Sequence, residues 1–122
     1  MLDYAEKRNQ IKSLKAELTR AYEGINPAKL RARISELEEI QNGEGFWSDV
    51  ENAQKVSKEI SMAQGKLGKF EKLLGDLDDL LETVDIVELE NSEEEDENLV
   101  KQISVCAEAV EKLTLSTLLS GK

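Results

Sequence analysis

The feature that most constrains this chain is an apolar stripe at alternating three- and four-residue steps. This spacing places its members on one face of a single long helix and continues for more than four heptads. A helix with such a stripe must bury it against another helix, either from the same chain or from a second copy. We call this set the 53–84 seam. Its ten members are Ala53, Val56, Ile60, Ala63, Leu67, Phe70, Leu74, Leu77, Leu81 and Val84.

Shorter periodic segments flank the long helix and predict three more. The first helix is expected at about residues 1–24, the second at 27–41, the seam helix at 49–90 and the last at 93–117. The predicted fold is all-α, an elongated antiparallel helical bundle with coiled-coil-like packing, three long helices and a shorter one. At 122 residues the whole chain is expected to form one domain.

Capping signals support these boundaries. Asn26 is expected to cap the second helix, whose first position suits Pro27 because proline lacks the N–H that would go unpaired there. Two Ser-x-x-Glu patterns predict capping boxes at the starts of the third and fourth helices. They begin at Ser48 and Ser92.

Two features of the predicted helices leave alternatives open. The inner face of the second helix ends on either Ile40 or Gln41. Three glycines lie off the seam, and they either admit close approach of a neighbouring helix or mark local weakness or a bend. They are Gly65, Gly68 and Gly75.

Composition removes most kinds of catalytic and metal chemistry. The chain has no histidine, and its single cysteine, Cys106, falls on the apolar face of the last helix. The acidic run at 93–97 lacks the alternating ligands and glycine of a calcium loop, and the glycines at 43 and 45 enclose an acid rather than a phosphate loop. We therefore expect no catalytic residue, no metal and no cofactor. We expect no membrane span and a cytoplasmic protein.

Charge is distributed unevenly along the chain. Residues 1–33 carry eight Lys or Arg against four acids, whereas residues 76–97 carry twelve acids and no base. Arg8, Lys12 and Lys15 satisfy helical spacing and are the best candidates for contacting nucleic-acid phosphates, with ordinary surface charge as the alternative. No aromatic residues interleave with them, so base readout, and with it DNA binding, is not indicated.

Phe46 and Trp47 form the one concentrated aromatic pair. The structural interpretation is a plug that closes one end of the bundle, as in a hydrophobic staple. The functional interpretation is a binding hot spot.

The segment at 46–59, FWSDVENAQKVSKE, resembles the signature of the amino-terminal domain of the bacterial release factor 2 family. The segments RISELE at 33–38, VELE at 87–90, EEEDE at 93–97 and LLSG at 118–121 are also similar to that family, and 118–122 would begin the passage to a further domain. The resemblance leads us to expect proline where Gly45 stands, a change that would loosen the turn. Neither the family's stop-codon-reading tripeptide nor its Gly-Gly-Gln loop occurs in this sequence.

The resemblance implies a role in translation termination at UAA or UGA codons, as a ribosome-binding domain without catalysis of its own. It also implies contact with the ribosomal stalk base, near ribosomal protein L11 and its rRNA, and with the GTPase that recycles the factor. The main alternative is a stand-alone coiled-coil adaptor that oligomerises through the 53–84 seam. A hydrolase is a distant third hypothesis, since histidine and a phosphate loop are missing.

Overall fold

A computed structural model describes residues 2–119, and these contain four α-helices. No strand occurs in this described part, so the predicted all-α class is confirmed. Elongation and coiled-coil-like packing stay predictions, and the passage expected at 118–122 falls largely on residues 120–122, outside the described residues. The helices are α1 (Tyr4–Gly24), α2 (Pro27–Gln41), α3 (Val50–Glu90) and α4 (Glu93–Leu119), with a 3₁₀ turn at Phe46–Ser48.

Short polar side chains cap α2 and α4 where the sequence predicts them. The Oδ1 atom of Asn26 accepts the backbone N–H of Lys29 at 3.4 Å, and Pro27 occupies the first position of α2. The Oγ atom of Ser92 accepts the N–H of Glu95 at 3.3 Å. These bonds satisfy N–H groups that have no partner within the first helical turn.

The cap of α3 is Asp49, and the capping box predicted at Ser48 is wrong. The Oδ1 atom of Asp49 accepts the N–H of Asn52 at 3.1 Å, and its carbonyl accepts the N–H of Ala53 at 2.9 Å. Ser48 instead ends the 3₁₀ turn and donates its N–H to the carbonyl of Gly45 at 3.1 Å. The aromatic turn therefore continues one residue further than the Ser-x-x-Glu spacing indicated.

Gly45 adopts a backbone conformation that proline cannot. Its φ angle is +79°, in the left-handed region, whereas the proline ring fixes φ near −65°. The expectation of a merely loosened proline turn is therefore wrong. The turn before α3 depends on glycine here and has its own local geometry.

The chain divides into two compact units. The hairpin unit is Ile25–Lys69 and contains α2, the 3₁₀ turn and the first part of α3. The three-helix unit is Met1–Gly24 with Phe70–Lys122, of which residues 2–24 and 70–119 are described. It contains α1, the second part of α3 and α4.

Each unit has an apolar core of its own. In the hairpin unit the buried side chains are Ile25, Ile34, Leu37, Phe46, Ala53, Val56, Ile60, Ala63 and Leu67. In the three-helix unit they are Ile11, Leu18, Phe70, Leu73, Leu77, Leu80, Val84, Val87, Leu99, Ile103 and Val110. No polar or charged side chain is buried within residues 2–119, so the interior depends on apolar contact alone.

The 53–84 seam changes register at Phe70. Eight of its ten predicted members are buried, but Leu74 and Leu81 are only half-buried, and their neighbours Leu73 and Leu80 take the core positions. Because Leu73 and Leu74 are adjacent, as are Leu80 and Leu81, either leucine of each pair can occupy the core position. In the three-helix unit, packing selects the first leucine of each pair, which periodicity alone did not indicate.

The glycines off the seam do not mark close helix approach. A Cβ atom added at Gly65, Gly68 or Gly75 would meet no described heavy atom within 4 Å outside the local backbone. All three positions are exposed on α3. The close-approach interpretation is therefore wrong, and these positions weaken the helix by roughly 1 kcal/mol each relative to alanine.

The register of α3 can be tested with a matched pair of leucines. We expect Leu80→Ala to lower the free energy of unfolding by roughly 2–5 kcal/mol, as for other buried leucines, and Leu81→Ala to lower it by clearly less. Chemical denaturation followed by circular dichroism measures both. Equal losses, or a larger loss for Leu81→Ala, would contradict the register.

Candidate functional site

Arg8 and Lys15, two of the three predicted phosphate-contacting residues, lie against acids of α3. The Nε and Nη2 atoms of Arg8 donate to Oδ1 of Asp85 at 3.0 and 2.8 Å, and Arg8 also pairs with Glu88. The Nζ atom of Lys15 donates to Oδ1 of Asp78 at 2.6 Å. These pairs lie in the three-helix unit and join α1 to α3.

Lys12 differs from its two neighbours. It is exposed, and it forms no ion pair with any residue in the described range 2–119. The structure therefore does not present the three cations as one free basic face. Lys12 is the member of the set whose charge is available to a partner.

The ion pairs match part of the uneven charge of the sequence within one unit. Glu88 and then Asp85 raise the pKa of Arg8, because both carboxylates bond to its guanidinium. Tyr4 adds a further link, since its hydroxyl donates to Oδ1 of Asp96 at 2.6 Å, and that bond raises the pKa of the phenol. Sequence reasoning missed this contact, which joins residues 92 positions apart.

Phe46 and Trp47 are adjacent in sequence but differ in environment. Phe46 is buried in the hairpin unit, as the plug interpretation requires, whereas Trp47 is 65% exposed. The two rings meet edge to face, with centroids 4.8 Å apart. The buried ring thus supports the exposed one, and only Trp47 is accessible to a partner.

Arg33 and Glu59 join α2 to α3 in the hairpin unit. The Nε atom of Arg33 donates to Oε2 of Glu59 at 2.8 Å and its Nη2 to Oε1 at 3.2 Å, while Nη1 pairs with Glu36. The bond from Arg33 lowers the pKa of Glu59. No sequence signal identified this pair across 26 residues.

Further along the hairpin, the amide of Gln41 donates to Oγ of Ser57 at 3.2 Å. Gln41 is half-buried and Ile40 is 44% exposed, so Gln41 ends the inner face of α2. The alternative that the sequence left open is thereby decided.

Cys106 is half-buried on α4, and burial followed by the charge of Asp76 raises the pKa of its thiol. A raised pKa disfavours the thiolate, which is the reactive form. This agrees with the expectation that Cys106 packs rather than reacts.

Within the described residues, no group of three or more His, Cys, Asp or Glu side chains could hold a metal ion. None of the described helices is both long and apolar enough to cross a membrane. Several of the polar contacts described above cap helices or join them.

Comparison with known proteins places the chain in a family. Residues 30–122 match the PCRF domain. The chain belongs to the PCRF domain family. No solved structure matches it.

Curated relatives agree with the assignment of this chain to the PCRF domain family. Peptide chain release factor 2 of Corynebacterium aurimucosum is 32% identical over 117 residues, which cover 96% of this chain and 32% of that protein. The Campylobacter jejuni protein of the same name is 31% identical over 121 residues, 99% of this chain and 33% of that protein. For a Clostridium perfringens relative the identity is 27% over 122 residues. The resemblance to release factor 2 is confirmed, and the chain spans about a third of the length of these relatives.

The Arg33–Glu59 pair predicts a pH dependence of stability. Because the folded-state pKa of Glu59 lies below its ordinary value of 4.5, the pair stabilises the fold above that pH. Its contribution is lost as pH falls through the lowered pKa. We expect the difference in unfolding free energy between the parent chain and Glu59→Gln to be largest near neutral pH and to shrink below about pH 4.5.

Denaturant unfolding from about pH 3 to about pH 7 measures this difference. Glu39→Gln is the matched control, because Glu39 is exposed and forms no ion pair with another described residue. Parallel stability curves for the parent chain and Glu59→Gln would contradict the prediction.

Proposed function

We propose that this chain is the ribosome-facing interaction domain of a class I peptide chain release factor that acts in translation termination at UAA or UGA codons. The observation that carries the proposal is the similarity of nearly the whole chain to proteins named peptide chain release factor 2. In this proposal the chain contributes contacts rather than catalysis. In the family, peptide release depends on the Gly-Gly-Gln loop, which this sequence lacks.

The proposed partners are those that the family resemblance implies. They are the ribosomal stalk base with ribosomal protein L11 and its rRNA, and the GTPase that recycles the factor. A cytoplasmic location follows from this role. Lys12 is the proposed contact to rRNA phosphate, because Arg8 and Lys15 already bond to carboxylates of α3.

The adaptor alternative requires that the 53–84 seam be accessible to a second copy of the chain. Its members Phe70, Leu77 and Val84 have no exposed surface in the single chain, and Ala53, Val56, Ile60, Ala63 and Leu67 are buried as well. One copy of the chain therefore covers most of the seam. This favours an interaction domain over an oligomerising coiled coil.

Arg8, Lys12 and Lys15 should separate into two classes when their charges are reversed in a release factor that carries this chain. Lys12→Glu should slow stop-codon-dependent release and reduce the salt dependence of ribosome binding by about one phosphate contact, with unchanged unfolding free energy. Arg8→Glu and Lys15→Glu should lower the unfolding free energy, because each places an acid against acids of α3.

Lys101→Glu is the matched control, since Lys101 is an exposed lysine of the same unit without an ion pair in the described chain. Release kinetics measured at low and moderate salt show whether Lys12 contacts the ribosome. If Lys12→Glu and Lys101→Glu both behave as the parent protein does, Lys12 makes no ribosomal contact.

The chain should sediment as a monomer in analytical ultracentrifugation, because its seam is already covered. Leu118 is 75% exposed and could join two copies by its own apolar surface, so Leu118→Ser is the control. A dimer that persists in Leu118→Ser would favour the adaptor.

A further inference from the structure

Apolar side chains are exposed where α2 leads into α3. Trp47 is 65% exposed, Val50 63% and Ile40 44%. Aromatic side chains that pack on a buried neighbour are typical anchors of protein interfaces, and tryptophan is enriched among the residues that dominate affinity. Trp47 packs in this way, because its ring centroid lies 4.8 Å from that of buried Phe46.

The charge around these side chains has a single sign. Between Arg33 and Lys55 the sequence contains six acids and no lysine or arginine. Five of them are exposed and form no ion pair with any residue in the described part of the chain. We call residues 38–51 the hairpin tip; these five acids are Glu38, Glu39, Glu44, Asp49 and Glu51.

Three acids of α3 provide a contrast, whereas most other acids of the three-helix unit, such as Glu82 and Glu90, are exposed and form no ion pair among the described residues. Asp78, Asp85 and Glu88 bond to Lys15 or Arg8 and are partly neutralised within the fold. The acids of the hairpin tip have no such cation. The negative field around Trp47 is therefore available to steer and select a partner.

We propose that the hairpin tip docks on a basic protein surface of the ribosome, where Trp47 fills an apolar pocket and the acids face lysines and arginines. This inference rests on the proposed function and names the chemistry of one contact. Proteins that bind rRNA neutralise phosphates with lysine and arginine, so they supply the complementary charge. RNA itself does not fit, because an aromatic platform for bases needs cations along the backbone path, and here the neighbours are acids.

Photocrosslinking on 70S ribosomes identifies what Trp47 touches. The full chain carrying p-benzoylphenylalanine in place of Trp47 should give an adduct that protease destroys and ribonuclease does not. The same group in place of Met62, which is 66% exposed on α3 in the hairpin unit, is the control and should give little adduct. An RNA adduct at position 47, or equal protein adducts at both positions, would overturn the inference.

Binding variants test the two parts of the surface separately. Trp47→Ala should weaken binding of the chain to ribosomes roughly 30-fold, as truncation of an aromatic anchor does, whereas Met62→Ala should change it by less than about twofold. Because both side chains are largely exposed, circular dichroism should give the same helicity for both variants. Equal affinities for Trp47→Ala and the parent chain would overturn the role of Trp47.

The charge is tested by neutralising three acids together with Glu44→Gln, Asp49→Asn and Glu51→Gln. Asparagine at position 49 keeps an oxygen that can cap α3. A basic partner predicts weaker binding with less salt dependence, whereas an RNA partner predicts tighter binding because phosphate repulsion is removed. Tighter or unchanged binding would overturn the inference.

Co-sedimentation of the parent chain with ribosomes separates the two levels of the proposal. If the parent chain binds and the position-47 and charge results fail, the inference is wrong and the ribosome-facing role stands. If the parent chain does not bind at all, the proposed function fails and the inference falls with it.

Discussion

Burial of the apolar face of α3 is the constraint on which the rest of the structure depends. The helix runs for 41 residues and contains three exposed glycines, so its own propensity does not hold it. Burying a leucine or phenylalanine contributes about 1.5–3 kcal/mol, and Phe70, Leu77 and Val84 are fully covered. In the hairpin unit α2 supplies the cover, and in the three-helix unit α1 and α4 do. Both interiors exclude charge, which leaves polar side chains for caps and surface pairs.

Ion pairs then satisfy part of the charge in each unit. In the three-helix unit, Arg8 and Lys15 of α1 bond to acids of α3, so part of the uneven charge of the sequence is matched within the fold. In the hairpin unit, Arg33 bonds to Glu59 and Glu36, but the five acids of the hairpin tip form no ion pair with a described residue. Exposed pairs stabilise weakly, so their main effect is to determine which charges remain for a partner. Of the three cations expected to form a basic face on α1, only Lys12 has no ion pair among the described residues, and the acids of the hairpin tip are likewise unpaired.

Local rules predicted much of this fold, and tertiary choices account for most of the errors. The caps at Asn26 and Ser92 depend on neighbouring residues, and the sequence identified both. Whether Leu80 or Leu81 takes the core position depends on which helices surround α3, and the periodicity alone is compatible with either leucine. The Arg33–Glu59 bond joins residues 26 apart and has no local signal. Asp49 displaced Ser48 as the cap because the aromatic turn used one more residue than the pattern allowed.

The segment that identifies the family contains two aromatic residues with different roles, and sequence alone could not separate them. Packing accounts for Phe46, whose ring fills the core of the hairpin unit. Packing does not account for a second large ring at position 47, because a mostly exposed indole adds little to the core. Neither capping nor the 3₁₀ turn requires an aromatic side chain there. The part of the family segment that folding leaves unexplained is therefore the part best placed to contact a partner.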